Sequence, residues 1–114
     1  MEFDSNKPIY LQIADSICNR ILHGELKGED RIPSVREFGA RIGVNPNTVA
    51  RTYDTLTDQG VIYNKRGIGF FVTEDAAANI RREAKELFLK EELPAFAKKA
   101  QLLGVSKEDI IKQL

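Results

Sequence analysis

The chain has 114 residues, 42% of them hydrophobic and 30% charged, and its 17 basic and 17 acidic side chains cancel to a formal net charge of zero. That is material for one modest globular domain, or a small domain with an appendage. One cysteine and one histidine exclude an internal disulfide and a zinc framework, and no apolar run approaches the ~20 residues of a membrane span; the acidic start Met1-Glu2-Phe3-Asp4 lacks the layout of a secretion signal, so a cytoplasmic protein is expected.

Ile9, Ile13, Ile17 and Ile21, with Tyr10 and Ala14, fall on one face at helical spacing. They predict a first helix over residues 8–22, with Pro8 in its first turn, where a missing N–H costs nothing. Cys18 belongs to the same pattern and is expected to be buried or half-buried; His23 and Gly24 end the helix. Leu26 and Ile32 flank a polar loop, and Arg31-Ile32 admits a short strand.

Ser34 followed by Glu37 fits a capping box that opens a second helix, with Val35, Phe38 and Ile42 facing inward. Gly43-Val44 makes a turn. A third helix starts sharply, with Asn45 as its cap and Pro46 at its first position; Val49, Tyr53 and Leu56 form its buried stripe, and Gly60 stops it. Val61, Ile62 and Tyr63 read as one strand and Phe70, Phe71 and Val72 as another, joined by Asn64-Lys65-Arg66-Gly67-Ile68-Gly69, whose glycines permit a tight hairpin. Two helices that must cross steeply, then a Gly-punctuated basic hairpin, outline a winged helix-turn-helix.

The rest is a different kind of segment. Ala77, Ile80, Ala84 and Leu87 form one apolar stripe, and Leu89, Leu93, Phe96, Ala100 and Leu103 form another. They predict a long amphipathic helix over residues 75–102, bent near Glu91 by Pro94. Leu103-Gly104-Val105 closes it. Ser106 with Asp109 is a second capping box, opening a final short helix that carries Ile110, Ile111 and Leu114. The expected fold is therefore mostly α with a small β-hairpin, a winged helix-turn-helix over residues 1–73 followed by a two-helix dimerisation tail over residues 74–114.

The neutral balance hides a local asymmetry. Residues 1–73 hold nine basic and nine acidic side chains, yet from Arg31 to Arg51 four arginines face one acid, Glu37. A neutral chain with one basic face still grips phosphate, although its long-range steering is weaker. Asn47, Thr48 and Arg51 are the polar residues early in the third helix; these types hydrogen-bond base edges or phosphate, and they also serve as good first-turn residues and a solvated face. Ser34 and Arg36 sit at the start of the second helix, where free N–H groups suit a phosphate. Arg41 either touches phosphate or pairs with Glu37. Lys65, Arg66 and Gly67 place two cations at the hairpin tip, suited to phosphate or minor groove, or simply to solubility. In the tail, Ile80, Ala84, Leu87, Leu89, Leu93, Phe96, Ala100 and Leu103 offer more apolar face than two helices bury alone, and a second copy would cover it unless the tail folds back on its own domain. No nucleophile–base pair, phosphate-cradling loop or metal cluster points to an enzyme, and no cofactor is expected.

Together these motifs resemble the GntR family of bacterial transcriptional regulators, and within it the short YtrA-like branch. Pro8-Ile9-Tyr10-Leu11-Gln12-Ile13 is similar to the family's opening helix, Arg31-Ile32-Pro33-Ser34-Val35-Arg36-Glu37 to its "LPS-x-R-E" stretch, and Val44-Asn45-Pro46-Asn47-Thr48-Val49 to its recognition helix. Arg66-Gly67-Ile68-Gly69-Phe70-Phe71-Val72 resembles its wing. The resemblance implies a DNA-binding homodimer, most simply a repressor on a near-palindromic site, with DNA contacts at Ser34, Arg36, Asn47, Thr48, Arg66 and Gly67. Many members carry a base-reading Arg where this chain has Pro46, so their operators do not transfer, and Arg51 is a partial replacement. About forty residues after the hairpin are too few for the ligand domains of other branches; a small-molecule effector is unknown, and no residue marks a place for one at the dimer seam or between the tail and the DNA-binding unit. The YtrA-like branch is linked to transporter genes. A winged helix used for protein–protein contact is the alternative that zero net charge allows.

Overall fold

A computed structural model describes residues 6–114; the acidic start, Met1 to Asp4, lies outside them. The isoleucine stripe folds as helix α1, Ile9–Leu22, and buries Ile13, Ala14, Ile17 and Ile21, while Ile9 stays exposed. Pro8 is the cap residue rather than the first helical one: its carbonyl accepts from the amides of Leu11 and Gln12, and no side chain caps the end. Cys18 is half-buried. His23 caps the far end, its ring Nδ1 2.7 Å from the Asn19 carbonyl.

Helices α2 (Val35–Ile42) and α3 (Pro46–Asp58) follow the predicted signals. The Ser34 hydroxyl accepts from the Glu37 amide at 3.1 Å, and the Glu37 carboxylate accepts from the Ser34 amide. The Asn45 side chain accepts from the Asn47 amide at 2.8 Å. Between the helices, Gly43 takes the left-handed conformation at φ 70°. Val49, Tyr53 and Leu56 are buried as expected, and Thr52 joins them although it is polar. Its hydroxyl donates to the Tyr10 carbonyl at 2.7 Å, so a group that would be costly to bury unpaired ties α3 to α1.

Strands β1 (Arg31–Ile32), β2 (Ile62–Lys65) and β3 (Gly69–Val72) form one antiparallel sheet in the order β1-β3-β2. The hairpin is tighter than the sequence indicates. Lys65 pairs with Gly69, which leaves Arg66-Gly67-Ile68 as the turn, and the strand assigned to Val61 begins one residue later. Val61 is buried all the same. Ile32, Phe38, Val49, Leu56, Ile62 and Val72 close the core with the α1 isoleucines. Phe70 meets Tyr53 edge-on at 4.9 Å between ring centroids.

Two compact units divide the chain, the first ending at Arg81 and the second running from Arg82 to Leu114. Helix α4, Ala76–Leu87, begins within the first: Ala76 belongs to its core, and Ala77 and Ile80 pack against that core. In the second unit the long helix is not simply bent. A π-helical segment, Phe88–Glu92, separates α4 from α5, Leu93–Leu102. Pro94 has no N–H to donate to the preceding turn and its ring needs room there, and a wide turn accommodates both. Gly104 then takes φ 72°, and the Ser106–Asp109 capping box opens helix α6, Lys107–Ile111. Leu114 lies beyond that helix and is exposed.

Gly39, inside α2, is where the helix-turn-helix is tightest. A Cβ there would stand 2.7 Å from the Val44 carbonyl oxygen. Backbone cannot yield as a flexible side chain can, so Gly39→Ala is expected to cost about 1–3 kcal/mol. The melting temperature should fall by roughly 4–8 °C per kcal/mol. An unchanged melt by circular dichroism would show that the turn relaxes freely.

Candidate nucleic-acid interface

The candidate site residues fall into three groups, at the start of α2, on α3 and at the hairpin. The first surrounds the start of α2. Ser34 and Arg36 are exposed there, and Arg31, Ile32, Pro33, Glu37 and Arg41 line one shallow cleft. Arg41 and Glu37 share that cleft without forming an ion pair within 4.0 Å, so the Arg41 guanidinium is available to an anion. The Tyr53 hydroxyl donates to the Pro33 carbonyl at 2.7 Å, which fixes the entry of α2 against α3. Burial pushes that hydroxyl up to about 12 from a tyrosine's usual 10, with Arg41 pulling it down and Glu37 pushing it up. It is therefore a neutral donor at any physiological pH.

The second group lies on α3. Asn47 and Arg51 are exposed and Thr48 is half-buried. The Asn47 backbone N–H donates to the Asn45 side chain that caps the helix. With Pro8, Ile9 and Tyr10 these residues line an open groove between α1 and α3. Arg51 does not hang in solvent: its guanidinium carbon lies over the Tyr10 ring, 4.0 Å from the centroid. Such a contact at an exposed site contributes roughly 0.5–1 kcal/mol.

The third group is the hairpin. Arg66 and Gly67 occupy the turn, with Gly67 at φ 79°. Lys65, expected at the tip, is instead the last residue of β2, with its ammonium 5.4 Å from the Phe71 ring centroid. The pleat accounts for this: once Lys65 pairs with Gly69, it belongs to the ladder, and only three residues remain to turn the chain.

Arg31 joins the first group to the third. Its Nη2 donates to the Ile68 carbonyl at 2.8 Å, pinning the hairpin turn to β1. Gly69 makes room for it, since a Cβ there would meet the guanidinium at 3.2 Å, and its φ of 143° suits glycine. In the sequence Arg31 is one of four arginines between positions 31 and 51, and nothing there marks this role. The signal was weak: a lone Arg opening a two-residue strand looks like any surface charge. The supports supplied by Tyr10, Thr52 and the Tyr53 hydroxyl were equally hidden, because each reaches across 20 or more residues. Among the described residues no group of three or more His, Cys, Asp or Glu side chains is placed to hold a metal ion.

The sequence profile of "Bacterial regulatory proteins, gntR family" matches residues 9–72. The chain is 42% identical over 111 residues to the HTH-type transcriptional regulator YhcF of Bacillus subtilis, covering 97% of this chain and 90% of that protein. It is 37% identical over 106 residues to the HTH-type transcriptional repressor YtrA of the same organism, covering 93% and 81%. A GntR-family transcriptional regulator from Bacteroides thetaiotaomicron superposes with a TM-score of 0.74 at 53% identity, over 91% of this chain and 90% of that one. The DNA-binding domain of AraR, solved in complex with an operator, superposes with a TM-score of 0.57 at 30% identity, over 64% of this chain and 86% of that one.

If Arg31 restrains the hairpin turn, Arg31→Ala should speed amide hydrogen exchange at Ile68 and Gly69 about tenfold or more while leaving exchange in α1 and α3 unchanged. Uniform acceleration across the domain would instead make Arg31 a general stabiliser.

Proposed function

The chain belongs to the gntR family of bacterial regulatory proteins and stands with its short YtrA-like members, and from that premise we propose that it is a homodimeric repressor of a near-palindromic operator. It is a DNA-binding transcriptional regulator and not an enzyme. In the proposal, residues 1–73 bind DNA and residues 74–114 hold the dimer. Ser34, Arg36 and Arg41 grip phosphate, Asn47, Thr48 and Arg51 face base edges, and Lys65, Arg66 and Gly67 bring the wing to the backbone or minor groove. Transporter genes are the expected targets, following the YtrA-like resemblance, and the cytoplasm the expected compartment. As a separate fact, no helix of the described chain is long and apolar enough to cross a membrane.

One observation carries the DNA reading. Two arginine-bearing surfaces and the recognition helix are anchored to a common frame by Tyr53 to Pro33, Thr52 to Tyr10 and Arg31 to Ile68. Preorganised donors lose less entropy on binding a duplex than free side chains do.

The dimer reading rests on the second unit. Leu89 is 51% exposed and Phe96 53%; Leu87, Phe88, Leu93 and Leu103 are exposed with them, and only Ala100 is buried. Such a face on so small a unit is stable in water when a like face covers it. The π-helical segment accommodates one extra residue and so turns the α5 stripe toward the α4 stripe by about 100°. Ala84 shares that surface; Ile80, expected there as well, is half-buried against the winged-helix core. A twofold pair would set two α3 helices roughly 34 Å apart on the duplex.

Fluorescence anisotropy with the promoter duplex upstream of the gene and a scrambled duplex tests the site. Arg36→Ala should weaken both and lower the salt slope by about 1, whereas Asn47→Ala should cost about 1–3 kcal/mol on the promoter alone. Equal loss on both duplexes for Asn47→Ala would refute its reading role. For the tail, Phe96→Asp should convert a sedimenting dimer to a monomer and lower promoter affinity at least tenfold. A wild-type monomer at all concentrations would end the dimer proposal.

A further inference from the structure

The contact between Arg51 and Tyr10 carries a sharper statement about what this regulator reads, and it rests on the DNA-binding reading. Arg51 follows Asn47 by four residues and Thr48 by three, so the three share one face of α3. The Arg51 guanidinium lies over the Tyr10 ring at 4.0 Å. The Tyr10 main chain is itself held: its carbonyl accepts from the hydroxyl of fully buried Thr52, the residue after Arg51, at 2.7 Å. One hydrogen bond thus joins the start of α1 to the middle of α3, and the Arg51 guanidinium lies beside the open groove that both line.

We infer that Arg51 reads a guanine in the major groove, and that Tyr10 is a positioning residue that holds it in the reading orientation. A guanidinium that stacks flat on an aromatic ring keeps its in-plane N–H groups free to donate outward, and at 4.0 Å from the Tyr10 centroid Arg51 is within reach of that arrangement. That presentation suits the paired O6 and N7 acceptors of guanine, which need two parallel donors in one plane. A phosphate also takes a bidentate guanidinium; what favours a base here is that Arg51 shares the α3 face of Asn47 and Thr48. An arginine free in solvent gives up much of its rotamer freedom on docking, and the Tyr10 ring has removed that freedom in advance. Pro46, at the first position of α3, has no side-chain donor and no N–H. Arg51 is then the one arginine of α3.

The test is in vitro selection with the full chain from a randomised duplex library, followed by sequencing. The wild type should enrich a half-site with one guanine preferred roughly ten- to a hundredfold. Arg51→Lys keeps the charge but loses the planar fork; it should flatten that position and leave the others. Tyr10→Leu should flatten the same position several-fold, and Tyr10→Phe, which keeps the ring, should leave it intact. If Arg51→Lys weakens all duplexes equally with the preference unchanged, Arg51 is a phosphate contact and the inference fails. Should Tyr10→Leu leave the guanine preference whole, the arginine reads unaided and the positioning role is gone. Nuclear magnetic relaxation of the Arg51 Nε–Hε bond in unbound wild type settles that role even if Tyr10→Leu does not fold: restricted motion is expected, and free rotation on the nanosecond scale overturns it. A wild type that enriches nothing defeats the operator reading itself, whereas an enriched site that Arg51→Lys leaves unchanged defeats only this inference.

Discussion

Tyr53 is the side chain on which the first unit depends. Its ring is buried between Phe38 of α2 and Phe70 of β3, with centroids 6.3 Å and 4.9 Å away. Its hydroxyl, held neutral by burial, donates to the Pro33 carbonyl just before the α2 cap. One residue thus joins both helices of the helix-turn-helix to the sheet that carries the wing. An apolar ring of the same size would fill the volume and leave the Pro33 carbonyl short of this partner. The polar end is what fixes the angle at which α2 arrives.

Around that anchor the molecule repeats one device. A side chain from a distant segment caps or pins a backbone carbonyl and thereby orients a surface that faces outward. Thr52 does this to the start of α1, and Arg31 does it to the wing turn. Each bond is modest, about 1 kcal/mol in net stability. Their larger effect is on geometry, because recognition of a duplex needs helix and wing held in fixed places before contact. Zero net charge fits this arrangement. With little long-range attraction to draw DNA in, affinity must come from groups already in place.

The second unit follows a different logic. Its apolar side chains remain outside, on a frame of two helices joined by a π-helical segment and closed by a capped third. Pro94 has a constructive consequence there. In an uninterrupted helix the stripe through Leu89, Leu93 and Phe96 would be out of phase with the stripe ending at Leu87, and a π-helical turn, which takes up one extra residue, changes that phase.

Much of this was legible in the residues because it is local. Capping boxes at Ser34 and Ser106, the Asn45-Pro46 start, the glycines after α1, α2, α3 and α5, and the periodic isoleucines act within four or five positions, and each produced the element it predicts. The candidate DNA contacts were legible for the same reason, as polar residues at helix starts and a hairpin. Tertiary structure alone decided which of those groups are restrained and by what. Arg31 meets Ile68, Tyr53 meets Pro33 and Arg51 meets Tyr10 across separations that no periodicity encodes, and Lys65 moved from turn to strand when pairing with Gly69 set the register. Helical signals lie within a turn or two of the chain, whereas the orientation of a side chain depends on which distant backbone comes to rest beside it, and that is fixed only when the core closes.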